Sequence, residues 1–271
     1  MSALFGILLL ALGFGTPALA ATPPLEFGLF PNLTPRVLLE TYRPLADFLA
    51  ARIGRPVALS TAPDFRTFAA NTARGDYDLL VTAPHLAWLA QRDAGYRPIL
   101  RYREPVRGLL VVRSDSPIAS PAELAGRQVA TADPLAIVVM AMQARLAGVD
   151  ARFVNAQTHN NAALRVFNRD ADAAILGEQP FRQLPDAVRK GLRVIDTTPP
   201  LSSQMVLVHP RVAPGEAVAI RRALAEWAET PDGRTFMARG GFGGFAPIAG
   251  DDVRAFRPYA AELARRLGGT Q

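Results

Sequence analysis

Ten side chains suited to holding a small polar ligand stand at six short breaks, each where a β-rich run gives way to a helical pattern. They are Asn32, Asp64 and Phe65, Thr82 and His85, Asp133, the run Thr158, His159 and Asn160, and Glu178. Two of the breaks share a wording, Thr61-Ala62-Pro63-Asp64-Phe65 and Thr82-Ala83-Pro84-His85-Leu86, and Thr131-Ala132-Asp133-Pro134 echoes it. A proline at the first helical position leaves free backbone N–H groups at the helix mouth, where the helix dipole also favours negative charge. In open α/β sheets that edge is where ligands bind. His85 and His159 are read as donors to an oxyanion, Thr82, Thr158 and Asn160 as hydrogen-bonding partners, Phe65 as a cover, and the acids as orienting an amine or hydroxyl. The same residue types cap helices in any α/β protein, so each break taken alone also reads as ordinary capping.

Catalytic chemistry finds less support. The three histidines, His85, His159 and His209, have no metal-ligand spacing and no HExxH helix, and the chain has no cysteine for a thiolate site, a disulfide or a lipid anchor. No metal and no cofactor is expected. There is no G-x-S-x-G elbow, and Ser202-Ser203 has no base beside it in sequence, which leaves an exported phosphoester hydrolase as a minor alternative. The run Gly240-Gly241-Phe242-Gly243-Gly244-Phe245 lacks the lysine of a phosphate loop and reads as a turn with packed aromatics.

The elements that must position these residues alternate. Strands are expected at Leu25–Phe30, Val57–Ser60, Tyr77–Val81 and Arg97–Tyr102, with helices at Pro35–Ile53, Asp64–Arg74 and Pro84–Ala94 between them. A second series follows, with strands at Gly108–Arg113, Gln128–Thr131, Arg152–Asn155, Ala173–Leu176 and Leu192–Asp196. Its helices are expected at the Ser120-Pro121-Ala122-Glu123 capping box, at Pro134–Ala147 and at Asn160–Asn168. A further strand, Met205–Val208, a helix, Gly215–Glu229, and a helical pair around the glycine-rich run complete the chain. The pattern is α/β with mostly parallel sheets. It divides into two lobes, 21–103 with 199–271 and 104–198, with crossings near Arg103 and Thr198.

Composition narrows the class. At 271 residues, 49% hydrophobic and 20% charged, the chain is an ordinary globular one. Its net charge of +6 rests on dispersed arginines, Lys190 being the one lysine, and no nucleic-acid motif accompanies it. The apolar run Ala3–Phe14 followed by Thr16-Pro17-Ala18-Leu19-Ala20 reads as a cleavable signal peptide, residues 1–20, although its start carries no lysine or arginine. An exported protein is expected.

Six pieces in order resemble one family: Phe27-Gly28-Leu29-Phe30-Pro31, Tyr42-Arg43-Pro44-Leu45-Ala46-Asp47-Phe48-Leu49, Ala62-Pro63-Asp64-Phe65, Tyr77-Asp78-Leu79-Leu80, Thr158-His159-Asn160-Asn161-Ala162 and Ala171-Asp172-Ala173-Ala174. Together they resemble the PhnD-like phosphate, phosphite and phosphonate periplasmic binding proteins of ABC transporters. The resemblance implies a type II periplasmic-binding-protein fold, two α/β lobes with ligand in the cleft and a two-crossing hinge. It implies a monomer in the periplasm, without catalysis, that delivers its ligand to an ABC permease in the inner membrane; the alternative is a sensor read by a membrane receptor or kinase. It also turns the loops at Asp64–Phe65, Thr82–His85, Thr131–Ala136 and Thr158–Asn161 toward the ligand and puts Glu178 where the family often uses an acid. Two departures stand out. Where the family holds phosphoryl oxygens with a serine/threonine-glycine cluster, this chain has Asp133-Pro134-Leu135-Ala136-Ile137, and expected tyrosines are replaced by Phe65 and His85. An aspartate beside an oxyanion repels it unless protonated or paired, which keeps a zwitterionic or proton-bearing ligand in view.

Overall fold

The computed structural model describes residues 22–250 and 252–268; residues 1–20, read from sequence as a signal peptide, lie outside them. In chain order the elements are β1 (Leu25–Leu29), α1 (Pro35–Ile53), β2 (Val57–Thr61), α2 (Phe65–Ala73), β3 (Leu79–Thr82), α3 (Pro84–Ala94), β4 (Arg97–Tyr102) and β5 (Gly108–Arg113). Then come β6 (Gln128–Thr131), α4 (Ile137–Arg145), β7 (Arg152–Asn155), α5 (His159–Phe167), β8 (Ala173–Gly177), α6 (Glu178–Arg182), α7 (Asp186–Lys190) and β9 (Leu192–Thr197). The last are β10 (Met205–Val208), α8 (Pro214–Ala228), α9 (Pro231–Gly240), β11 (Phe245–Ala246) and α10 (Arg257–Gly268). No helix of the described residues is long and apolar enough to cross a membrane.

Two sheets result. One runs β11-β4-β10-β3-β1-β2 and the other β7-β6-β8-β5-β9. Strands β1, β2 and β3 are mutually parallel, as are β6, β7 and β8, so the breaks carrying the candidate residues fall at the carboxyl ends of parallel strands in both lobes. The unbroken apolar run of β5 follows from helices covering both faces of its sheet. Leu110 and Val112 pack with Ile137, Val139 and Met142 of α4 on one face, while Leu109 and Val111 pack with Ala162 and Val166 of α5 on the other.

Helix α1 buries Leu38, Tyr42, Leu45 and Leu49, the stripe its spacing predicts. Tyr42 reaches the end of β4, where its hydroxyl meets that of Tyr102 at 3.1 Å. Tyr102 is stacked between Phe242 at 4.1 Å and Phe245 at 5.0 Å. The glycine-rich run therefore is a turn with packed aromatics: Gly241, Gly243 and Gly244 take φ of +61°, +64° and +99°, and the Arg103 N–H is shared between the carbonyls of Phe242 and Gly244.

The chain passes twice between the sheets, and the two passages pair. Val106 and Leu201 exchange backbone hydrogen bonds, each 2.9 Å, in an antiparallel bridge. Beside it, the Thr198 hydroxyl accepts from the Gly108 N–H at 2.9 Å, and a Cβ on Gly108 would stand 2.8 Å from the Val138 carbonyl oxygen. The glycine thus lets α4 approach the crossing.

Three local expectations are corrected. The expected capping box does not form: the Ser120 hydroxyl and the Ala119 N–H both donate to the Glu123 carboxylate, no side chain accepts from the Glu123 N–H, and only a 3-10 turn, Pro121–Leu124, follows. Gly126 at φ +73° ends that turn before β6 begins. The expected helix Pro134–Ala147 is shorter, because the Asp133 carboxylate accepts from the Leu135 N–H at 2.7 Å and makes a side-chain turn of the first residues. Short helices α6 and α7 fill a stretch for which only a strand end and a possible cap were expected.

Candidate ligand-binding site

All ten candidate residues lie at the carboxyl edges of the two parallel sets. Asn32 is exposed in the bend after β1. Asp64 caps α2, accepting from the Thr67 N–H at 2.6 Å, and that donor holds its carboxyl below the usual range. Phe65, buried, meets Phe30 edge to face at 6.0 Å. Thr158 caps α5 by accepting from the Asn161 N–H at 3.1 Å, and Asn160 is exposed in the first turn. Glu178 opens α6 but is engaged by Arg182 at 2.6 Å and by Arg107 of the crossing at 3.5 Å. Asp64 and Thr158 are thus capping residues, each of which keeps polar capacity beyond its cap.

The lobes meet at these edges. His85, fully buried at the start of α3, donates from Nε2 to the carbonyl of Leu135 in the other lobe at 2.9 Å. Asp133, half-buried beside that carbonyl, has its carboxyl pushed up first by burial and then by the charge of Asp64, a residue of the opposite lobe. On another side of the seam, Gln179 of α6 and Gln183, which caps its end, both donate to the carbonyl of Arg239 in α9, at 2.9 and 3.0 Å.

The histidines differ in what they offer. Burial pulls both His85 and His159 down to about 4, so each is a neutral ring near pH 7. A carbonyl only accepts, so Nε2 of His85 carries the proton and its buried Nδ1 is an acceptor with no protein partner. His159 is the reverse: its Nδ1 accepts from the Gly177 N–H at 3.2 Å, which leaves Nε2–H as a donor.

Sequence reasoning undervalued the second crossing. The hydroxyls of Thr82, Ser202 and Ser203 and the amide oxygen of Gln204 are buried without a hydrogen-bond partner. Met205 pairs with Thr82 in the β10–β3 ladder, so Ser203 and Gln204 continue past the carboxyl end of β3, toward the start of α3 that bears His85. In sequence Ser202-Ser203 reads as the end of a crossing between lobes and as a nucleophile without a base, not as a pair of ligand-facing hydroxyls. Neither hydroxyl is bonded to a histidine. Orphaned buried polar groups are rare and costly unless something else satisfies them. Ser60 Oγ, within β2, is orphaned as well; the others, with His85 Nδ1, stand along the carboxyl end of β3 and the second crossing.

Two α/β lobes joined by two paired crossings, with polar side chains facing one another from the carboxyl edges of both sheets, make a type II periplasmic binding protein. The chain belongs to the family of periplasmic substrate-binding proteins of phosphonate ABC transporters, whose model matches residues 27–253. Its fold is similar to that of a binding-protein component of an ABC phosphonate transporter from Pseudomonas aeruginosa, at 16% identity and TM-score 0.74, covering 92% of this chain and 90% of that one. PhnD1 from Prochlorococcus marinus, in complex with methylphosphonate, is similar at 12% identity and TM-score 0.76, covering 89% and 98%. XAC2383 from Xanthomonas citri, bound to ATP, is similar at 20% identity and TM-score 0.75, covering 90% and 98%. Among curated proteins none matches this sequence.

Proposed function

We propose that this protein captures a small phosphonate-type anion that also carries a proton or an amine, holds it between the lobes without chemical change, and presents it to an ABC permease. The observation that carries the reading is the set of buried, unpartnered polar atoms of Thr82, His85, Ser202, Ser203 and Gln204 at the facing edges. Hydroxyls and His159 Nε2–H supply donors for phosphoryl oxygens. His85 Nδ1 and the carboxylates of Asp64 and Asp133 require the opposite, a ligand group that donates. A ligand bearing both kinds of group fits better than a fully ionised tetrahedral anion. Asn32, Phe65, Thr158, Asn160 and Glu178 complete the proposed lining.

On this reading the lobe boundaries fall near Arg103 and Thr198, where the Val106–Leu201 bridge is the natural hinge. Ligand contacts from both lobes favour the closed arrangement, which the permease reads. Export through a signal peptide at residues 1–20 and a monomeric state belong to the same proposal.

A thermal-shift panel on the mature chain tests it, with phosphate, phosphite, methylphosphonate and 2-aminoethylphosphonate set against methanesulfonate and amino acids. A ligand at about 1,000 times its Kd adds about 4 kcal/mol. For a chain of this size that is a rise in Tm of about 10 °C. The expected result is such a rise with a phosphoryl compound and none with methanesulfonate, which has no proton to give. Equal shifts with methanesulfonate, or no shift with any phosphoryl compound, would overturn the proposal.

A further inference from the structure

The turn at Asp133–Ala136, where the sequence departs from the family's hydroxyl-bearing pattern, is braced from within. The Asp133 carboxylate accepts from the Leu135 N–H at 2.7 Å, and the Ala136 N–H donates to the Asp133 carbonyl at 3.0 Å. Its next two carbonyls are both taken by side chains of the opposite lobe. Pro134 accepts from Nη1 of Arg266 in α10 at 2.7 Å, and Leu135 accepts from His85 Nε2 of α3 at 2.9 Å. Arg266 also donates through Nη2 to Oε1 of Gln143 on α4 at 3.2 Å. Its helix is fixed in turn by Arg66 of α2, whose guanidinium donates to the carbonyls of Arg266 and Leu267.

Apolar contacts run through the same seam in both directions. Leu135 and Met140 pack into the core of the first lobe, while Phe256, just before α10, is buried in the core of the second. Tyr259 touches both.

We propose that this turn is a latch, and that Arg266 is a positioning residue which draws the lobes together through the Pro134 carbonyl without touching the ligand. The inference rests on the reading that ligand is held between closing lobes. A carbonyl pair held by a guanidinium and an imidazole lowers the cost of closure before ligand arrives, so the binding-competent form is already populated and apparent affinity rises by that fraction. The cationic donor carries most of the effect, because hydrogen bonds to charged groups are about twice as strong as neutral ones.

The chain has no cysteine, so Thr41→Cys on α1 and Arg165→Cys on α5, exposed positions on opposite lobes outside the proposed lining, give a clean pair for single-molecule energy transfer. In the ligand-free protein a high-transfer, closed population is expected. Arg266→Gln is expected to lower the closed-to-open ratio about tenfold, the size of one such hydrogen bond, and to weaken methylphosphonate binding by a similar factor. Arg266→Lys keeps a cationic donor and is expected to retain most of both, which loss of packing alone would not predict. Should Arg266→Gln fail to fold, judged by circular dichroism, Gln143→Ala removes the second contact and is expected to shift the ratio in the same direction by about twofold. A folded Arg266→Gln with unchanged ratio and unchanged affinity, or an unshifted Gln143→Ala, overturns the latch. If the parent chain binds no phosphonate the proposed function falls instead, while the ligand-free ratio still decides the latch.

Discussion

Asp78→Ala is expected to destabilise the first lobe by about 3–5 kcal/mol, the range seen when one partner of a buried ion cluster is removed. Asp78 is 6% exposed at the amino ends of β1 and β3. Its carboxylate accepts from the Glu26 N–H at 3.0 Å, from Arg55 at 3.3 Å and from Nε of Arg211. Arg55 continues to Glu216 of α8 at 3.1 Å and to the carbonyls of Pro23 and Pro24, and Arg211 continues to the carbonyl of Gly75. Alanine leaves two guanidiniums and a backbone donor without their common acceptor. At about 2–4 °C per kcal/mol the Tm falls by about 10 °C. Asp78→Asn keeps an acceptor oxygen and is expected to lose less. The site is at the other end of the sheet, so ligand affinity of the folded fraction is expected to stay near that of the parent. A Tm within about 2 °C of the parent for Asp78→Ala would contradict this account of the cluster.

Acidification from pH 7 to pH 5 is expected to cost about 2 kcal/mol through His85 alone. The ring titrates at about 4 in the folded chain against an ordinary 6.5, so between those values the unfolded chain binds the extra proton. Stability is full above about 6.5, falls as pH drops through the window, and levels off below about 4. His159, also pulled down to about 4 by burial, acts in the same direction. Asp133 acts oppositely: its carboxyl is pushed up, so its protonation at the acid end relieves burial and the repulsion from Asp64. The other charged groups around this seam are Arg266 of α10 with its partner Glu262 at 2.7 Å, Arg66 of α2, and Arg92 and Asp93 at the far end of α3. His85→Gln retains a donor for the Leu135 carbonyl but does not titrate. Its Tm is expected to lose the His85 part of the slope between pH 7 and pH 5, and an unchanged slope would rule out His85 as the source.

Much of this was legible because it is local. The strand positions, the α1 stripe and the proline-led helix starts depend on spacing and capping within a few residues, and they set the carboxyl edges where Asp64, Thr82, His85 and Thr158 stand. What was not legible depends on contacts between distant segments. The first residues of the expected helix at Pro134 are taken by the Asp133 side chain, and the carbonyls this frees find His85, 50 residues before, and Arg266, 132 residues after. The roles of the two histidines follow from tautomers set by Leu135 and Gly177, which no spacing rule contains. Ser202 and Ser203 gain meaning only once β10 returns beside β3. The resemblance placed the family; the lining beyond its matched pieces needed the fold.

On the proposed function, the unpartnered hydroxyls of Thr82, Ser202 and Ser203 are kept for a ligand. A calorimetric titration of methylphosphonate into the parent chain and into a Thr82→Val, Ser203→Ala double variant tests it most directly. Each substitution removes a hydroxyl that no protein group satisfies, so the ligand-free Tm is expected to hold or rise slightly. Losing two bonds to an anion is expected to weaken binding by about 100-fold or more. Undiminished affinity in the double variant, or a ligand-free protein several degrees less stable, would contradict the account.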